Sequence, residues 1–173
     1  PAFIKPKDGS SSNNAYKISS GCELKEFSKK VDNYIVQPFI EGTEYTIDIF
    51  CDLDGDPIFI TPRIRLAVRA GEVVKTQICQ DERIIQEIRS LLKIYKPCGP
   101  LTVQLIREHS TLTDWYIEIN PRFGGGCPLS MKAGADAARA LIMLLNGKAL
   151  SFIPNAAING ATYSRFDQSV RVK

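Results

Sequence analysis

The stretch from Leu101 to Cys127 constrains this chain most. Leu101-Thr-Val-Gln-Leu-Ile-Arg-Glu108 alternates apolar and polar residues, and so does Trp115 to Asn120, at the period of two that belongs to a strand. The residues between them, His109 to Asp114, include Ser, Thr and Asp, so the two runs predict a hairpin. Centring it on that loop sets Gln104 opposite Glu118 and Thr102 opposite Asn120. Trp115, Ile117 and Ile119 then share an apolar face. Gln104, Glu118 and Asn120 project from the other, an oxygen-donor set suited to a hard cation such as Mg²⁺. The register rests on loop symmetry, and one bulge shifts it. Pro121 ends the ladder, Arg122 adds a fixed positive charge, and Gly124-Gly-Gly126 lets the backbone approach whatever sits there. Read locally, the same residues also describe a strand end facing water and a flexible turn.

A length of 173 residues supports one well-filled core, and 44% hydrophobic with 24% charged residues is ordinary for a soluble globular domain. The net charge of +3 is too mild to imply a nucleic-acid partner, and no basic run is interleaved with aromatics. No stretch has the length of a membrane span and no signal peptide is present. The five cysteines, Cys22, Cys51, Cys79, Cys98 and Cys127, lack CxxC spacing, and with a single histidine they argue against zinc. An odd, scattered set fits reduced thiols in a cytoplasmic protein. The opening Pro1-Ala-Phe-Ile-Lys-Pro6 reads as the start of a buried strand without an initiator Met, as expected of a piece of a longer protein.

In chain order, Ala2 to Lys5 is a short strand, with Lys5 kept extended by Pro6. Lys7 to Asn14 is small and polar. It reads either as a surface loop or as a loop that folds over phosphates, and it lacks the ending of a P-loop. Ser20 to Val31 predicts a helix whose face carries Leu24, Phe27 and Val31, capped at Ser20 or Gly21. Tyr34 to Ile40 is a strand with Pro38 marking a sheet edge or hinge. Tyr45 to Cys51 follows, then the acidic turn Asp52 to Asp56, too short for an EF-hand loop. Pro57 to Ile60 and Arg63 to Arg69 read as two strands, the second with Arg63, Arg65 and Arg69 on one side. Such a row is a solvated face or an anion site. Gly71 to Ile78 is a further strand with Lys75 on the parity of Val73. Asp81 caps a long helix to Tyr95 whose stripe of Ile84, Ile85, Ile88, Leu91, Leu92 and Tyr95 is read as core. Leu129 to Ala133 and Ala137 to Leu145 look helical, and Thr162 to Phe166 is one more strand. The order predicts an α+β fold in two lobes with antiparallel sheets flanked by helices: 1–40 a small lobe and hinge, 41–150 a large lobe, 151–173 a tail.

Taken together, Phe3-Ile-Lys-Pro6, the Gly/Ser loop, Val36-Gln-Pro-Phe-Ile-Glu-Gly-Thr-Glu-Tyr45, Val103-Gln104 and Ile117-Glu-Ile-Asn-Pro-Arg122 resemble the ATP-grasp superfamily. Within it they look most like the branch related to the large subunit of carbamoyl-phosphate synthetase. The likeness runs from Ala2 to about Leu150, with the parts in the family's order. It implies a cleft between the lobes that binds ATP and Mg²⁺. Lys5 would hold phosphates under a loop of Gly9, Ser10, Ser11 and Ser12. Gln37, Phe39 and Ile40 would read adenine, and Glu44 the ribose hydroxyls. Gln104, Glu118 and Asn120 would hold Mg²⁺, with neutral Gln104 weakening the metal site where many relatives carry an acid. Arg122 would steady an acyl phosphate or tetrahedral species, and Arg69 and Lys75 would contact phosphate or substrate.

The implied chemistry is ATP-dependent activation of a small-molecule carboxylate, followed by amide formation with an amine. Such transfer needs positioning and charge neutralisation more than a covalent side chain. The alternative is a non-catalytic nucleotide-binding or regulatory module of the same fold. Relatives also carry an N-terminal Rossmann-like domain and an upstream basic residue, which this sequence starts after. The isolated fragment is therefore expected to bind nucleotide weakly and to be catalytically poor, with that N-terminal domain as a partner in the parent chain.

Overall fold

The structure, a computed structural model, describes residues 1–8, 14–69, 71–166 and 171. Two antiparallel sheets carry it. The small one is three-stranded, in the order β2-β1-β3, from β1 (Ala2–Pro6), β2 (Tyr16–Ile18) and β3 (Tyr34–Pro38). The large one is six-stranded, in the order β8-β7-β4-β5-β6-β9, from β4 (Gly42–Cys51), β5 (Pro57–Arg69), β6 (Glu72–Ile78), β7 (Gly99–Glu108), β8 (Asp114–Asn120) and β9 (Thr162–Ser164). Four helices complete the described chain: α1 (Gly21–Phe27), α2 (Glu82–Tyr95), α3 (Cys127–Lys132) and α4 (Ala137–Leu145). The expected α+β class with two antiparallel sheets and few helices is what forms. β9 joins the free side of β6, and Ala157 is buried, so residues beyond 150 pack into the large sheet's body.

Strand β4 organises the large sheet because both its faces are covered. Tyr45, Ile47, Ile49 and Cys51 point to a core shared with Ile84, Ile85, Ile88 and Leu92 of α2. Phe50 points the other way, into a second cluster with Ile58, Ile78, Ala137 and Ala140. Burying a side chain such as Ile88 contributes roughly 1.5–3 kcal/mol. The stripe of α2 is core at those positions. Tyr95, expected there too, is 49% exposed, and Leu92 is the last buried residue of α2.

Local chemistry sets the ends of these elements. Ser20 caps α1 by accepting from the Glu23 N–H, while the Glu23 carboxylate accepts from the Ser19 N–H, which is reciprocal capping. Asp52 accepts from the N–H groups of Asp54 and Asp56 and closes the β4–β5 turn, where Gly55 takes φ +89°.

Three readings of the sequence change. Pro57–Ile60 and Arg63–Arg69 are one continuous strand: the Pro62 carbonyl accepts from the Cys79 N–H just where the β6 ladder starts, so its missing N–H lies off the ladder. β2 was not expected, since three residues hold no readable period and pairing with β1 creates the strand. Ser20–Val31 is helical only to Phe27; beyond it, Val31 is buried but lies outside the helix.

Asp81 ties the fold's two local systems together. It accepts from the Ile84 N–H as the cap of α2 and receives Arg107 of β7, which also forks onto Asp114 of β8 at 2.7 Å through both nitrogens. Burial opposes ionisation of Asp81, but the Arg107 and helix N–H bonds outweigh it and hold its carboxyl below the usual range. A depressed folded pKa contributes stability above the unfolded value and loses it as pH falls through the folded one. D81A is therefore expected to cost about 1–2 kcal/mol near neutrality. Urea unfolding between about pH 5 and pH 3 should show a shallower loss of stability in the variant than in the parent.

Candidate nucleotide cleft

The small sheet and the polar face of the large sheet enclose a cleft of about 410 Å³. Its floor follows from strand register. Arg63 of β5 pairs with Thr46 of β4, Thr46 with Gln104 of β7, and Gln104 with Glu118 of β8, giving one polar row across four strands. The next row on the same face is Thr61, Asp48, Thr102 and Asn120. Alternation along β4 thus sends odd residues to the core and Glu44, Thr46 and Asp48 to the cleft side.

The hairpin has the register that loop symmetry predicts, Gln104 with Glu118 and Thr102 with Asn120. A bulge follows, because Leu105 pairs with Tyr116 and leaves Ile117 extra. The expected single apolar face of Trp115, Ile117 and Ile119 is therefore split. Ile117 lines the cleft, and Ile119 pairs with core residue Val103. Glu118 Oε1 accepts from Gln104 Nε2 at 2.8 Å and from Asn120 Nδ2 at 2.9 Å. Gln104 Oε1 faces Arg65 Nη1 at 3.4 Å, so an amide between a carboxylate and a guanidinium has one orientation that satisfies both.

Lys5, Gln37, Phe39 and Ile40 line the small-sheet side, and Glu44, Asn120 and Arg122 the other. The Lys17 ammonium stands 4.0 Å over the Phe39 ring. Gly9, Ser10, Ser11 and Ser12 lie outside the described residues. Among the described residues, Arg69 and Lys75 are not part of the lining. Bulges between Arg65 and Val68 break the expected row, so Arg63 and Arg65 face the cleft and Arg69 does not share it. Sequence reading placed Arg65 only within a row that is either a solvated face or an anion site, with no contact of its own. Its Nε is 3.2 Å from Glu44 Oε1, an ion-pair distance off the line of an N–H bond, and its Nη2 donates to Gly71 O at 3.0 Å. Only the parity of the arginine row hinted at it.

A buried pair underlies the loop after β8. Arg63 Nε donates to Asp48 Oδ2 at 2.8 Å, and the Ser130 hydroxyl of α3 donates to the same oxygen at 2.6 Å. The glycine run is explained by what it covers. A Cβ at Gly126 would collide with the Arg63 guanidinium and Val73, one at Gly125 with the Glu72 carboxylate, and one at Gly124 would stand 2.9 Å from Thr102 Oγ1. None of these glycines has a positive φ, so space rather than backbone freedom requires them. Cys127, which follows, is buried, and burial, followed by the Asp48 charge, pushes its thiol up to about 12, so it is no nucleophile.

The model of the family described as "ATP-grasp in the biosynthetic pathway with Ter operon" matches residues 30–167. The chain belongs to the ATP-grasp family. No curated protein matches it. Solved structures share its fold at low identity. The biotin carboxylase domain dimer of Hydrogenobacter thermophilus 2-oxoglutarate carboxylase, complexed with MgADP, ADP and bicarbonate, superposes with a TM-score of 0.76 at 16% identity, over 94% of this chain and 40% of that one. N5-carboxyaminoimidazole synthetase from Staphylococcus aureus, complexed with ADP, gives 0.72 at 17%, over 88% and 43%. L-amino acid ligase from Bacillus licheniformis gives 0.60 at 21%, over 78% and 35%. This ATP-grasp chain thus spans less than half the length of these neighbours. Among its described residues no helix is long and apolar enough to cross a membrane, and all five cysteines are unpaired.

The loop contacts rank two substitutions. G126A drives a methyl into a buried guanidinium and is expected to cost about 1–3 kcal/mol. G125A meets the free end of the flexible Glu72 and is expected to cost less than half as much, both read by chemical denaturation.

Proposed function

We propose that this chain is the nucleotide-binding core of an ATP- and Mg²⁺-dependent carboxylate–amine ligase acting through an acyl phosphate. The observation that carries the reading is the cleft: Lys5 from the small sheet shares it with Glu118, Asn120 and Arg122 from the large one. Neighbours complexed with ADP, and one named as an amino acid ligase, support the same class. We read 1–40 as small lobe and hinge, 41–150 as large lobe and 151–173 as tail, in a carbamoyl-phosphate synthetase-like branch. Adenine would lie at Gln37, Phe39 and Ile40, and the ribose hydroxyls would donate to Glu44.

The residues present fit a magnesium ion. Glu118 and Asn120 offer hard oxygens on one sheet face, held together through Glu118 Oε1, while Gln104 Oε1 faces Arg65 and would have to turn to join them. Mg²⁺ bound by few protein ligands keeps positions for phosphate and water, and when bound it supplies charge neutralisation to the phosphates. The chain's own part is positional. Lys5 would hold phosphate oxygens. Arg122, with its carbonyl fixed by the Thr102 hydroxyl at 3.1 Å, would oppose charge developing on the activated carboxylate. Phosphoryl transfer asks for positioning and electrostatics rather than a covalent side chain.

Calorimetry on the chain is expected to detect MgADP and MgATP. E118Q should weaken MgADP about tenfold or more while metal-free ADP changes little, the size of a lost charge-assisted contact. ADP release by the full-length parent with some pair from a panel of carboxylic acids and amines is the expected activity. Nucleotide binding with silence across a broad panel would favour a non-catalytic module instead, and no nucleotide binding at all would overturn both readings.

A further inference from the structure

One acid of the cleft wall has no role in that reading. Glu44 stands by Arg65, Glu118 gathers two amide N–H groups, and Asp48 is sealed with Arg63 and Ser130. Glu72, first residue of β6, instead lines the cleft against Gly125. Its Oε2 converges with two main-chain oxygens on a single nitrogen. Arg165 Nη1 donates toward Glu72 Oε2 at 3.1 Å, Val73 O at 3.3 Å and Gly125 O at 3.4 Å. Glu72, Val73 and Gly125 all line the cleft, whereas Arg165, just past β9, is not part of the lining and reaches the wall from outside it.

Three acceptors around one position, one of them anionic, are more than a guanidinium nitrogen can use. Nη1 carries two hydrogens and shares them at long distances. An alkylammonium carries three in a compact head, one for each oxygen. The Glu72–Arg165 pair is also cheap to open, since its side chains are 56% and 43% exposed and such pairs contribute little.

We propose that Glu72 Oε2, Val73 O and Gly125 O form the seat of the amine substrate, bound as its ammonium, with Arg165 the resident cation that the amine displaces. The assignment rests on the ligase reading and adds the residue that recognises the amine. Two cations cannot share the seat without repulsion, so Arg165 and the amine compete. The competition gives opposite signs to two substitutions. Removing the acid loses the amine; removing the arginine favours it.

The test uses the full chain, labelled with ¹⁵N, and n-butylammonium chloride as probe, with n-butanol as the uncharged control. Saturable shifts of the Val73 and Gly125 amides are expected with the ammonium and not with the alcohol. E72Q should weaken binding about tenfold or more, the size of a lost charge-assisted hydrogen bond. E72D should retain binding, and R165A should tighten it about two- to fivefold, the size of an exposed ion pair. A structural clasp would be loosened alike by E72Q and R165A. Absence of shifts in the parent, equal binding in E72Q, or weaker binding in R165A would each overturn the seat. MgADP titrated into the same samples reports on the nucleotide reading separately, so failure of one is distinct from failure of the other.

Discussion

The ion pair of Arg63 with Asp48 is what the rest of the site is built upon. Both residues are buried, at 2% and 5% exposure, and dehydrating two charges costs several kcal/mol each. Their contact and the Ser130 hydroxyl, both on Asp48 Oδ2, offset part of that cost, and Asp48 Oδ1 and Arg63 Nη1 are left without a hydrogen-bond partner among the described residues. Because Ser130 belongs to α3, the same bond ties the helix after the glycine run to a strand 82 residues earlier. The near end of that run is fixed by Thr102, whose hydroxyl donates to the Arg122 carbonyl. Held at both ends, Gly124–Gly126 lie against Thr102, Glu72 and Arg63 with no room for side chains. Arg122 is thereby carried on a segment with little freedom to move.

Strand β4 lets one element serve stability and chemistry at once. Its odd residues pack on α2, while Glu44 and Thr46 face the cleft. The division is a property of the pleat, since consecutive side chains leave opposite faces. Pairing then copies the polar row onto β5, β7 and β8, so Arg63, Thr46, Gln104 and Glu118 stand abreast although they are far apart in sequence. Opposite charges and amides alternate on this face: Arg65 lies between Glu44 and Gln104, and Glu118 between two amides, while Thr46 Oγ1, Asp48 Oδ1, Arg63 Nη1 and Arg65 Nε are buried without a hydrogen-bond partner among the described residues. Such a preorganised polar surface needs little rearrangement to meet a charged ligand.

The small sheet contributes by position. Lys5 and the segment after β3 reach the cleft because β1 and β3 pair over five residues, Ala2 with Pro38 through Pro6 with Tyr34. Pro38 closes that ladder, and Gly42 opens β4 four residues later. Gly42 has its own constraint, since a Cβ there would strike the Arg107 carbonyl of β7. The passage from the small sheet to the large one at this side of the cleft is only Phe39, Ile40 and Glu41.

Much of this was legible in the residues. Periodicity, caps and turn chemistry are local, so α2, α4, the Asp52–Asp56 turn and the Gln104–Glu118 register follow from neighbours in sequence. The family likeness rests on short motifs in a set order, which a linear reading also captures. Local pattern could not reveal the bulge at Ile117 or those after Arg65, because an extra residue in a strand is chosen by its partner strand. Those bulges decided that Ile117 faces the cleft and that Arg65 rather than Arg69 lines it. Nor could it reveal that Asp48, Arg63 and Ser130 meet, or that Arg165 reaches Glu72, since each contact joins segments distant in the chain. The sequence by itself determined the elements, the family and the polar residues offered to a site. Tertiary structure alone decided which of them converge, because convergence is set by register, bulges and packing between strands that no local pattern encodes.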